Sequence, residues 1–126
     1  MRSPAGPVLV VDDDADWRDL ILGALAVANV PAVGCASGDD AIAVASDVCP
    51  SVVVTDLHMP GMDGARLARA LRALHPAPVL LALTGDADAA QAAWPEFHAM
   101  MTKPVSPLEV AAMVVRLSRS ALQPRR

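Results

Sequence analysis

Apolar runs of strand length alternate along this chain with stretches of helical periodicity. "PVLVVD" (Pro7 to Asp12) is continuously apolar until it ends in acid. From about Ala15 to Ala28 the pattern turns helical, with Asp14 or Asp16 placed to cap the free N–H groups of the first turn. "PAVGCA" (Pro31 to Ala36) is a weaker strand, and Asp39 to Val48 suits a helix closed by Pro50. "SVVVTD", ending at Asp56, is rich in β-branched residues and predicts a third strand. "GARLARALRALHP" sets Leu67, Ala70, Leu71 and Leu74 on one face and Arg66, Arg69 and Arg72 on another. That is an amphipathic helix ending before Pro76, with the arginines as its solvated side. "PVLLALTG" predicts a fourth strand, Asp88 to Trp94 a short helix stopped by Pro95, and His98 to Thr102 a short fifth strand. The last helix opens on "SPLE", where Ser106 caps, Pro107 takes the first helical position and Glu109 reaches back. Its apolar positions are expected at Leu108, Ala111, Ala112, Val115 and Leu122.

Strands that alternate with helices predict an α/β fold, a doubly wound five-stranded parallel sheet, because parallel neighbours need crossover helices. Runs such as "VLVV" and "VLLAL" lack polar alternation, as strands covered on both faces should. A chain of 126 residues suits one such domain, expected over residues 7–122, between a loose arm (1–6) and a short tail (123–126).

Composition narrows the chemistry. A net charge of −4 does not favour direct nucleic-acid binding, and 2 % aromatic residues do not build a stacking platform. Cys35 and Cys49 have no metal-ligand spacing and read as free thiols in a reducing cytoplasm. Leu20 to Gly38 carries no charge, yet Gly23, Asn29, Pro31 and Gly34 interrupt it, so a membrane span is not expected.

Doubly wound sheets carry their chemistry at the carboxyl ends of the strands. The polar residues of interest fall there: "DDD" after strand one, Asp56 after strand three, Thr84 after strand four and Lys103 after strand five. Asp12, Asp13 and Asp56 are expected to share a small space, and three carboxylates cannot all stay ionised there without a counter-ion. Mg²⁺ suits a few carboxylates with waters and a phosphate oxygen. Thr84 could donate a hydrogen bond to a phosphoryl group on Asp56, and Lys103, the chain's one lysine, supplies a compact positive charge. Read singly, Asp12 to Asp14 also suits a helix-capping acidic loop, and Thr84 a turn hydroxyl.

Together "VLVVDDD", "VVVTDLHMPGMDG", "LALTG" and "TKP" resemble the receiver domain of two-component response regulators, in order and across nearly the whole chain. The resemblance implies a (βα)5 flavodoxin-like fold with strand order 2-1-3-4-5. It implies a phosphoryl group taken from a histidine kinase or a histidine phosphotransfer protein onto Asp56. Asp13, Asp56 and the His58 carbonyl match the direct metal ligands, and Asp12 acts on the metal through water. Thr84 and Lys103 match the switch hydroxyl and the phosphate-binding lysine. A cis bond between Lys103 and Pro104 is also implied. Two positions tune phosphoryl lifetime in the family, matched here by His58 and Asp86.

The sequence departs from the family in one region. The usual switch aromatic three residues before the lysine is Met100, Phe97 lies further upstream, and the interval from Thr84 to Lys103 is short by about one helical turn, predicting a shortened fourth helix. Readout through Met100, Phe97 or a loop rearrangement is the resulting expectation. The chain reads as a stand-alone receiver, or a piece of a longer protein, acting on a downstream protein target and open to homodimer formation. Two rivals remain: an unphosphorylated protein-binding adaptor, and an aspartate-nucleophile phosphatase. The second usually places an acid two residues past the nucleophile, where this chain has His58.

Overall fold

The structure is a computed structural model that describes residues 6–59, 62–85 and 96–122. Strands β1 (Gly6–Val11), β2 (Ala32–Cys35), β3 (Pro50–Asp56), β6 (Val79–Thr84) and β7 (Ala99–Thr102) form one five-stranded sheet. Its order is β2-β1-β3-β6-β7 and every pairing is parallel, which is the expected 2-1-3-4-5 arrangement. Helices α1 (Ala15–Val27), α2 (Gly38–Val48), α3 (Gly64–Arg72) and α4 (Pro107–Leu122) cover it. The short helix expected from Asp88 to Trp94 lies outside the described residues. Among those described, no helix is long and apolar enough to cross a membrane.

Alternation along the strands divides the core into two layers. Val8, Val10, Val52, Val54, Leu81 and Leu83 meet Ile21, Ala24 and Leu25 of α1 and Val110, Ala111 and Val114 of α4. Leu9, Val11, Val53 and Leu80 meet Ala41 and Ala45 of α2 and Leu67, Ala68 and Leu71 of α3 on the opposite face. Burying each of these larger side chains contributes about 1.5–3 kcal/mol.

Local chemistry sets most element ends. Asp14, rather than Asp16, caps α1, accepting from the Trp17 N–H at 3.2 Å. Ser37 caps α2 in the same way through the Asp40 N–H at 3.1 Å. The capping box of α4 forms in both directions, Glu109 N–H to Ser106 Oγ at 3.1 Å and Ser106 N–H to Glu109 Oε1 at 2.9 Å.

Several boundaries differ from expectation. β1 begins at Gly6, inside the expected arm. Glycine is needed there because a β-carbon would collide with the carbonyls of Val48 and Cys49. Pro50 does not close α2. Cys49 does so, in a left-handed conformation with φ 50°, and Pro50 opens β3, where a proline's missing N–H is tolerated. α3 stops at Arg72 rather than running on towards Pro76. The Leu74 N–H turns back to the Leu71 carbonyl at 3.1 Å, and the residue before a proline avoids helical geometry.

The face of α4 is corrected as well. Val110, Ala111 and Val114 are buried, whereas Leu108 is 67 % exposed and Ala112 is also exposed. Apolar residues run around most of this helix, so its periodicity fits more than one rotation. The cap and the tether from β7 decide which face is turned inward. The segment after β3 forms a two-residue antiparallel ladder between β4 (His58–Met59) and β5 (Met62–Asp63).

Candidate functional site

The side-chain alternation that builds the core also selects which strand-end residues meet. Val8, Val10 and Asp12 share one parity on the first strand, and Val52, Val54 and Asp56 share it on the third. Ala99 and Met101, which face the same layer, are followed at the same parity by Lys103. The ladders continue one residue past the strands: Asp12 N–H bonds the Cys35 carbonyl at 3.0 Å, Leu57 N–H that of Leu83 at 3.0 Å, and Lys103 N–H that of Thr84 at 2.7 Å. Asp12, Asp56 and Lys103 are therefore held by backbone pairing at one rim, on the α1 and α4 side.

Asp56 is 9 % exposed and its carboxylate is engaged at both oxygens. Oδ1 accepts the His58 backbone N–H at 2.9 Å, and Oδ2 accepts from Lys103 Nζ at 3.2 Å. The Lys103 side chain is 32 % exposed against 12 % for that of Asp56. The Lys103–Pro104 peptide is cis.

Asp12 is 2 % exposed. Its Oδ1 accepts the Asp14 N–H at 2.9 Å, but Oδ2 is buried without a hydrogen-bond partner. Burial pushes its carboxyl above the ordinary value of 3.8. The charges of Asp56 and Asp13 push the same way, against the Asp14 N–H bond and the Lys103 charge. Asp13, by contrast, is exposed. The expected crowd of three carboxylates is thus a buried pair with a third at the surface, because the chain leaves the sheet after Asp12. Among the described residues, no three His, Cys, Asp or Glu side chains form a ready metal cage.

Thr84 is fully buried at the end of β6, and its Oγ1 lies 3.3 Å from His58 Nε2. The histidine thus touches both halves of the site, its backbone on Asp56 and its ring on Thr84. Met100 is half-buried in β7 opposite Ala82, on the other face from Met101. Phe97 packs against the α2 and α3 layer. Asp86 lies outside the described residues.

Two site neighbours had no signal in the sequence. Arg18 donates from Nη1 to the Asp12 carbonyl at 2.7 Å, bracing the turn out of β1. Trp17 brings its ring near Lys103. Both belong to the first turn of α1, and only the packing of that helix on the sheet brings them to the rim.

The family model for the response regulator receiver domain matches residues 8–115. The chain belongs to the response regulator receiver family. It is 33 % identical over 114 residues to the DNA-binding transcriptional regulator NtrC of Salmonella typhimurium, covering 88 % of this chain and 24 % of that protein. An uncharacterized 14.6 kDa protein of Leptolyngbya boryana is 34 % identical, with 85 % of this chain and 86 % of that protein covered. This receiver spans about a quarter of the length of NtrC and of the similar regulator DctD of Rhizobium meliloti, at 24 % and 27 %. Its fold matches that of the chemotaxis response regulator CheY4 of Vibrio cholerae with a TM-score of 0.79 at 24 % identity, over 90 % of this chain and 98 % of that one.

Proposed function

We propose that this receiver takes a phosphoryl group from a phosphohistidine onto Asp56 and changes its binding to a protein partner as a result. One observation carries the reading: a carboxylate buried at a strand end, with one oxygen held by a backbone N–H and the other by the chain's one lysine. The His58 N–H is part of the backbone and stays. The Lys103 ammonium sits on a flexible stem and can follow negative charge as it moves. Oδ2 is therefore the nucleophile. It forms a bond to phosphorus as the phosphorus–nitrogen bond of the donor breaks, and the imidazole leaves with that electron pair. Lys103 passes from Oδ2 to a phosphoryl oxygen, and Thr84 turns its hydroxyl from the His58 ring to another.

The donor set fits Mg²⁺. Asp12 Oδ2 is a buried anionic oxygen with no partner, which a hard cation or its bound water would satisfy. Asp13, Asp56 and the His58 carbonyl would hold the ion with Asp12 assisting through water. When bound, Mg²⁺ supplies countercharge to the carboxylates and the phosphoryl oxygens. His58 and Asp86 tune phosphoryl lifetime, and Met100 occupies the position through which the change is read out. A histidine kinase or phosphotransfer protein is the donor, in the cytoplasm.

Intact mass after incubation with acetyl phosphate and Mg²⁺ tests this reading. The parent should gain the mass of one phosphoryl group and Asp56→Asn should gain none. A parent that stays unmodified overturns the proposal and favours the adaptor reading, for which Met100 in place of an aromatic residue speaks. Steady turnover of a generic phosphomonoester would favour the phosphatase.

A further inference from the structure

The Lys103 ammonium has a second neighbour besides Asp56. Its Nζ stands over the Trp17 ring, 5.7 Å from the centroid. Trp17 is half-buried against the α1 layer of the core, and its backbone N–H is fixed by the Asp14 cap. The position of the ring thus follows from the start of α1, and that of the ammonium from the pairing of β7 with β6.

Packing alone does not account for tryptophan at this place. Its Nε1 is buried and has no hydrogen-bond partner, whereas buried indoles normally find one. A leucine or phenylalanine would occupy core space without stranding an N–H. What tryptophan offers beyond those residues is the most electron-rich aromatic face, the best of the side chains for holding a cation.

We propose that Trp17 is the positioning residue for Lys103: its ring seats the ammonium beside Asp56 and keeps it at the rim while it passes from the carboxylate to a phosphoryl oxygen. The transfer half of this inference rests on the function proposed above, but the seat itself does not. A flexible four-carbon stem that is one-third exposed would otherwise spread its charge over many rotamers once Oδ2 is occupied. The ring attracts the ammonium without competing for its N–H donors, so all three stay available to oxygen.

The test uses the full chain labelled with isotopic lysine, which reports a single residue because Lys103 has no companion. In the parent, the ε-methylene protons should be displaced upfield by the ring current. Trp17→Leu should return them to free-lysine values, and Trp17→Phe should retain part of the displacement. Phosphorylation by acetyl phosphate with Mg²⁺ should slow about two- to fivefold in Trp17→Leu, the range set by a partly exposed cation–π contact. In a Trp94→Phe background, fluorinated tryptophans at position 17 keep the ring's shape while draining charge from its face. The rate should fall stepwise with each added fluorine. A lysine signal unmoved by Trp17→Leu, or a rate indifferent to fluorination, overturns the proposal. Failure of the parent to take phosphate would overturn the reading of Asp56 alone, and the lysine signal would still decide the seat.

Discussion

Replacing Asp12 by asparagine separates what the fold needs from what the site needs. The carboxylate is 2 % exposed, and Oδ2 has no partner, while Oδ1 holds the Asp14 N–H at 2.9 Å. Asparagine keeps an acceptor for that N–H and removes the charge. A buried polar group left unsatisfied costs about 1–3 kcal/mol and a charged one more; the asparagine amide keeps the neutral part of that cost, so the variant recovers only the excess due to charge, of which Lys103 already offsets a part. In chelator, Asp12→Asn should therefore be more stable than the parent by about 1 kcal/mol, a rise in Tm of roughly 3–5 °C for a domain of this size. Magnesium should reverse the order. At a concentration a hundredfold above its Kd the ion stabilises the parent by about 2.7 kcal/mol, and the variant by much less. The pH dependence has a definite sign. The folded value of Asp12 lies above 3.8, so the ionisation penalty is absent below 3.8 and accrues as pH rises through the folded value. The advantage of the variant in chelator should accordingly grow with pH over that window. Urea unfolding of both proteins, with chelator and with magnesium, measures all of this. A variant less stable than the parent in chelator at neutral pH would refute the claim that this carboxylate is held at a cost.

Three further outcomes follow from particular contacts. His58→Ala should lower the beryllium fluoride concentration needed to half-saturate the site by about twofold to tenfold, because Thr84 no longer surrenders a hydrogen bond to reach the mimic; an unmoved or raised midpoint in a tryptophan-fluorescence titration counts against it. His98 is exposed at its outer edge, but its Nδ1 turns inward to accept the Leu80 N–H at 2.9 Å, and the partial desolvation of the ring, then Arg72, pulls its pKa below 6.5. Its stabilising bond is complete above 6.5 and weakens as pH falls through the folded value, so urea midpoints should drop more steeply on that side in the parent than in His98→Asn; parallel profiles contradict this. Ser106→Ala removes one arm of the α4 capping box and should lower stability by about 1 kcal/mol in the same assay, with no loss expected if the cap were idle.

The sequence by itself determined the alternation of strands and helices, the Ser106 capping box and the placement of Asp12, Asp56, Thr84 and Lys103 at strand ends. These are local matters: a run of β-branched residues, a Ser-Pro-Leu-Glu start and a polar residue closing an apolar run carry their reasons within a few neighbours. Even the shared parity of Asp12 and Asp56 is arithmetic on the strands once their register is known. Only the tertiary structure decided which carboxylates are buried, since Asp13 escapes to the surface where the chain turns from β1 into α1. It alone chose the buried face of α4, whose apolar residues leave the rotation open until cap and tether are set. It brought the His58 ring to Thr84 and the Trp17 ring under Lys103, pairs separated by 26 and 86 residues (84 − 58 and 103 − 17), each joined by the packing of different elements. Contacts of that kind depend on how helices and strands sit against one another, and no periodicity along the chain encodes them.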